Sequence, residues 1–340
     1  MWASRILVLV SVFWGLTAVA DDGFEVKTLE ADRVYPGTTL ITQLRDHDQR
    51  ILEIDHQGNV LWSYEVPSNQ FTERGFILDA TPTPDNTILY TLFGGGIYEI
   101  DRDGNVLWQH KDPGASHDVD LLLNGNLLYN RGWAKRGEAC VREINRAGET
   151  VWEWNGLPDF RKDKYVDVDH GGWMHTNAVT RKANGDTLIS IRNFNRIVEV
   201  DKSGEVVWSC SFRSKKGKGS PLLTPGIVKG QRNHEPEILK NGNILLSLRK
   251  PTGFHEIDRE TCESVWWWTH PEGGKKLKTN RDSNRLPNGN TLVVAAERII
   301  EIAPNGDIVW AVKVSNRQQQ HRKQFHKAIR IGDDGKLFGG

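Results

Sequence analysis

The sequence predicts an all-β protein, a six-bladed β-propeller of four-stranded antiparallel blades, closed by pairing of the N- and C-terminal segments. Three recurring marks carry this expectation. A Gly-x-x-Val/Leu-Trp segment, or a close variant, ends at Trp62, Trp108, Trp152, Trp208, Trp266 and Trp310, at intervals of 44 to 58 residues. A turn signal precedes the second strand of each unit at Asp85-Asn86, Asn124-Gly125, Asn184-Gly185, Asn241-Gly242, Asn288-Gly289 and Asp334-Gly335. Just before each Trp strand stands a Glu-Ile-Asp-like end: Glu53-Ile54-Asp55, Glu99-Ile100-Asp101, Glu143-Ile144-Asn145, Glu199-Val200-Asp201, Glu256-Ile257-Asp258 and Glu301-Ile302-Ala303. Four short strands in a unit of this length make a propeller blade.

In chain order, residues 1–20 read as a secretory signal peptide. Arg5 precedes the apolar run Ile6 to Trp14, and Ala18-Val19-Ala20 stands before Asp21-Asp22, the order of charge, apolar run and small-residue cleavage site used for export. The run is short for a membrane span, so no span is expected after cleavage and the location is secreted or periplasmic. Residues 21–35 read as an N-terminal extension and 36–340 as the propeller. Residues 37–62 supply the last three strands of a blade whose first strand is Phe325 to Ile331. Joining them leaves no exposed sheet edge.

The 44 basic and 44 acidic side chains balance, which argues against a nucleic-acid partner. The local basic runs at Arg213-Ser214-Lys215-Lys216-Gly217-Lys218 and Lys275-Lys276-Leu277-Lys278 sit among glycines, as solvated loops do. The three cysteines, Cys140, Cys210 and Cys262, allow one internal bridge at most and have no Cys-x-x-Cys spacing. Neither a metal nor a cofactor is called for. Most of the 13 tryptophans are expected to be core.

Chemistry belongs at the start of each first strand, because the innermost strands line the channel. Those starts carry His117-Asp118, His175-Thr176-Asn177, His234-Glu235, Asn280-Arg281-Asp282 and His326-Lys327, while the first full blade offers only Gly75-Phe76. Any one histidine there could simply satisfy backbone groups at the channel mouth. Four at related positions point to one axis. A two-residue turn at Asn184-Gly185 places Asn177 opposite Arg192, with His175 and Trp173 on the same face. The same reading sets His234 opposite Arg249. An imidazole, an amide and a guanidinium on one face suit a tetrahedral oxyanion. Trp133 and Trp173 are the candidates for an aromatic wall.

These residues resemble the bacterial arylsulfotransferases that work without a phosphoadenosine cofactor. The likeness covers the propeller, and its most specific part is His175, Asn177 and Arg192, followed by His234 at the head of the next blade. The resemblance implies a ping-pong transfer from an aryl sulfate donor to a phenolic acceptor, with His234 as nucleophile and His117 as a further active-site histidine. The separate N-terminal β-domain of well-known members is absent from this sequence. The residue types agree with the reaction: Arg192, Asn177 and His175 can hold the sulfuryl oxygens while a neutral imidazole attacks in line, and His117 or His175 can assist the leaving phenolate. A noncatalytic secreted propeller that binds a peptide or glycan would share the blades. A quinoprotein dehydrogenase also uses Trp-marked blades, but the six-unit count and the lack of adjacent cysteines stand against it. The oligomeric state is not legible.

Overall fold

The computed structural model describes residues 24–44, 49–72, 75–161, 171–212, 231–314, 324–333 and 335–338. The expected signal peptide lies outside the described residues. Six antiparallel sheets form a six-bladed propeller. Four of them have four strands in simple chain order, beginning with the inner strands Phe76–Pro82, Ser116–Leu121, Thr176–Arg181 and Gln231–Ile238. The two remaining sheets have five strands. In one, Gln324–Ile331 lies between the short strand Leu337–Phe338 and Thr38–Leu44, with Ile331 opposite Thr38 and Phe325 opposite Gln43. In the other, Phe24–Leu29 adds itself to the outer edge of Ile308–Val314. The segment expected as an extension therefore contains a strand of the last blade.

The repeated sequence marks have a common physical basis at the seams between blades. Each Glu of the Glu-Ile-Asp mark pairs with an arginine of the next blade: Glu53 with Arg102, Glu99 with Arg146, Glu143 with Arg181, Glu199 with Arg259, Glu256 with Arg285 and Glu301 with Arg330. The same arginine lies over the ring of the marker Trp in the glutamate's blade, its guanidinium carbon 5.0 to 5.3 Å from the ring centre. Such a contact is worth about 0.5–1 kcal/mol where exposed and more where desolvated. Five of the Trp indoles also donate across the seam to a backbone carbonyl, for example Trp62 to Arg102 at 2.6 Å and Trp310 to His56 at 2.8 Å. The Asp or Asn that follows makes the third turn, as when Asp101 Oδ1 accepts the Asn105 N–H at 2.8 Å.

Under each seam lies an apolar core shared by two blades. One joins Leu40 and Ile51 to Ile88 and Tyr90, and another joins Phe254 and Trp268 to Val293 and Ile300. Cys210 and Cys262 form a disulfide between adjacent blades, with Cα atoms 5.9 Å apart. Cys140 is the buried free thiol, its pKa pushed up to about 12 by burial.

The turns after the inner strands correct the sequence reading. In the Asn184-Gly185 turn Lys182 N–H bonds to Asp186 O and Gly185 N–H bonds to Lys182 O, so the loop has three residues and only Gly185 is left-handed, at φ 92°. All six turns share this pattern. A two-residue turn needs two positive φ values; this one needs one and shifts the register by a residue.

Candidate active site

Inner strands present one edge to the axis, and apart from the short Leu337–Phe338 pairing at one end of Gln324–Ile331 no described strand pairs with that edge, so its N–H groups need other acceptors. Carboxylates from the preceding blade supply several. Asp79 accepts the Val119 N–H at 3.0 Å, Asp118 the Val179 N–H at 2.8 Å, Glu237 the Arg285 N–H at 2.8 Å and Asp282 the Ala328 N–H at 3.2 Å. Above this layer the strands are irregular. Bulges interrupt the pairing between Thr176 and Ala178 and between His234 and Glu237, and His117, His175 and Glu235 have left-handed φ values of 56°, 51° and 41°. Non-glycine residues held there cost of order 1–3 kcal/mol each and collect at functional sites.

These irregular starts surround a chamber of about 310 Å³. Leu44, Phe76, Leu78 and Trp133 make its apolar side, and His117, His175, His234, Arg192, Arg249 and Arg281 its polar side. The His117 ring is 4.9 Å from His175, 6.2 Å from His234 and 5.8 Å from His326, between ring centres. Trp133 stacks on His117 at 4.7 Å and meets His175 edge-on at 5.0 Å. Among the described residues no group of three or more His, Cys, Asp or Glu is arranged to hold a metal ion.

His234 is fully enclosed, and neither of its ring nitrogens has a hydrogen-bond partner among the described residues. Burial holds its pKa well below the usual value of 6.5, and the charges of Arg249 and Arg281, with the neighbouring His117 and His326, push it the same way. His117 is lowered for the same first reason and then by His175, His326 and Arg192. Its Nδ1 lies 3.1 Å from Ser116 Oγ. His175 is oriented differently: Nδ1–H donates to Gly171 O, which turns Nε2 away from that carbonyl. Burial lowers Arg192 to about 10, with Arg232 adding to the effect, and lowers Arg249 to about 9, with Arg281, Arg192 and Arg232 adding to it.

Two expected members lie elsewhere. Asn177 is the bulged residue of its strand, and Thr176 pairs with Ile191 while Ala178 pairs with Ser190. Its Nδ2 donates to Asn233 O at 2.8 Å in the next blade, so it neither faces Arg192 nor lines the chamber. Arg192 comes opposite His175 instead, its N–H bonded to His175 O at 3.3 Å. Trp173 packs into the core between two blades, 5.4 Å from Phe194, because residues before Thr176 are not strand and alternation does not carry back to them. Trp133, the other candidate, lines the chamber together with Phe76. His234 lies opposite Ser247 rather than Arg249, since its strand is bulged and its turn is one residue longer than expected. Arg249 nevertheless lines the same chamber. Arg281 was visible only as the start of an inner strand, in a blade that lacks a histidine there.

Beneath the chamber lies a second layer centred on Lys327. Its ammonium group is fully buried, 2.9 Å from Asp118, 3.3 Å from Asp79 and 3.6 Å from Glu235. Burial alone would lower its pKa, but these acids and Asp282 raise it well above the ordinary value. Burial raises Asp79 to about 7 against the pull of Lys327, and raises Glu235 well above the usual range. A wider groove of about 540 Å³ runs between the Leu239 and Leu286 turns, at the other end of these strands. Its Glu256–Arg285 pair belongs to a blade seam.

Fold and site together define a class: a six-bladed propeller with a cationic, histidine-rich chamber at one end of its axis. Solved structures with a similar fold include a protein of unknown function from Bacteroides caccae, with 16% identity, TM-score 0.60, and coverage of 86% of this chain and 98% of that one. A catalytically inactive virginiamycin B lyase from Staphylococcus aureus with quinupristin has 12% identity, TM-score 0.51, and coverage of 84% and 86%. At such identities the likeness is one of fold alone. No curated protein matches the chain significantly. The chain belongs to the arylsulfotransferase family, whose model matches residues 24–248 and so spans His117, His175, Arg192 and His234. Sulfotransferase chemistry is thus its general assignment.

Proposed function

We propose that the chain is an aryl sulfate sulfotransferase that moves a sulfuryl group from a donor to a phenol through a sulfohistidine at His234. The observation that carries this reading is the setting of His234: it is enclosed, neither ring nitrogen has a partner among the described residues, burial lowers its pKa, and it lies on the wall of a chamber rich in arginine. An unengaged lone pair is what a nucleophile requires.

In the first half-reaction a His234 nitrogen attacks sulfur and the S–O bond to the aryl group breaks, its electron pair leaving with the phenolate. Arg192 holds the sulfuryl oxygens through its planar fork. His175 gives the leaving oxygen a proton. Its bond to Gly171 O suits the protonated ring, in which both nitrogens donate. His117, kept neutral by burial, contributes a hydrogen bond and no proton. In the second half-reaction neutral His175 takes the acceptor's proton, the phenol oxygen attacks sulfur, and the N–S bond breaks to restore His234. Trp133 and Phe76 face the aryl ring. The leader-like residues 1–20 and the Cys210–Cys262 disulfide support action outside the cytoplasm.

The test is to add a chromogenic aryl sulfate without acceptor and map the label. A sulfated histidine in the peptide spanning His234, absent in His234→Ala together with turnover, is the expected result. His175→Ala should slow the labelling without moving it. Label on His175, or full transfer in His234→Ala, would overturn the assignment.

A further inference from the structure

The chamber carries more positive charge than one sulfuryl group answers. An aryl sulfate ester is a monoanion, yet Arg192 and Arg249 both line the chamber, and no carboxylate lies within ion-pair distance of either among the described residues. Arg281 adds a third guanidinium to the same wall. The acids nearest the axis are engaged one layer below, where Asp118, Asp79 and Glu235 gather around Lys327. Two guanidiniums held away from water without counter-charge, as Arg192 and Arg249 are among the described residues, are costly, and an anionic ligand offsets that cost.

Size limits what that ligand is. A cavity of about 310 Å³ is at the small end for a ligand site, and its apolar side is one short face of Leu44, Phe76, Leu78 and Trp133. It suits a single ring.

We infer that the chamber selects a monocyclic aryl sulfate with a carboxylate on the same ring, the sulfuryl oxygens meeting Arg192 and the carboxylate meeting Arg249 with Arg281 beside it. The identity of the first anion rests on the sulfuryl-transfer reading; the second anion rests on the charge of the wall.

Arylsulfonates separate the two, because their carbon–sulfur bond does not transfer. Titration calorimetry of the full chain with benzenesulfonate and with 2-, 3- and 4-sulfobenzoate reads the second anion alone. At least one sulfobenzoate should bind about tenfold tighter than benzenesulfonate, the advantage of one well-made charged contact. Arg249→Gln should bring that ratio close to one. Equal binding of all four probes by the native chain, or an undiminished ratio in a folded Arg249→Gln, overturns the inference. Transfer assays with phenyl sulfate and the matching carboxyphenyl sulfate then distinguish the claims. Transfer from both at equal kcat/KM sinks the second anion and leaves sulfuryl transfer standing. Preferential sulfobenzoate binding with no transfer from either donor sinks sulfuryl transfer and leaves the dianion preference.

Discussion

The Lys327 ammonium lies 2.9 Å from Asp118 Oδ1, joining the inner strand at the C-terminal end of the chain to the one that carries His117. Each acid around Lys327 directly follows a chamber-lining residue: Asp79 after Leu78, Asp118 after His117, Glu235 after His234. The lysine therefore sets the relative height of strands from several blades. Lys327→Met leaves buried acids without their cation, and loss of one partner from a buried pair costs about 3–5 kcal/mol. Urea unfolding should show a loss of that size. A change below about 1 kcal/mol would mean that the acids hold protons and need no cation.

Arg192→Lys keeps the charge but loses the two-pronged guanidinium opposite His175. Transfer should fall by about 10²-fold, the scale for losing one transition-state donor. Unchanged steady-state turnover would remove Arg192 from the sulfuryl site.

The acid limb of the pH–rate profile should fall below the usual histidine pKa of about 6.5. Burial and the neighbouring arginines lower His234, so the reactive neutral form survives to lower pH than a free imidazole would, and kcat/KM declines only when that depressed pKa is crossed. A half-maximal point at or above 6.5 on that acid limb would show that another group governs the step.

Deleting residues 325–340 should destroy cooperative folding. The deletion removes Lys327, Arg330 with its pair to buried Glu301, and the strand alongside Thr38–Leu44. A truncated chain melting at the temperature of the full one would show that the strand is dispensable.

Reduction should also be destabilising. The Cys210–Cys262 bridge closes a segment with a sequence separation of 52 residues, for which the chain-entropy account gives about 4 kcal/mol. Equal chemical stability of the native chain and Cys262→Ser would show that the bridge contributes nothing.

The blade count, the strand order and the axis on which the histidines meet were legible in the sequence, because they depend on local periodicity: a turn, an apolar alternation and a Glu and Trp repeated six times. The Glu–Arg–Trp seams explain why those marks recur. The wall of the chamber was only partly legible. His117, His175, His234, Arg192 and Arg249 do line it, but Asn177 and Trp173 do not: Asn177 is the bulged residue of its strand, and Trp173 precedes the strand, so alternation does not carry back to it. Trp133, the other candidate for the aromatic wall, lines it from a loop, and Arg281 lines it from just before its inner strand, placements that alternation does not encode. The Lys327 layer was invisible for a different reason: its partners come from strands far apart in the chain, and a lysine next to a histidine acquires its meaning only when the ring brings their carboxylates within 4 Å of one ammonium group.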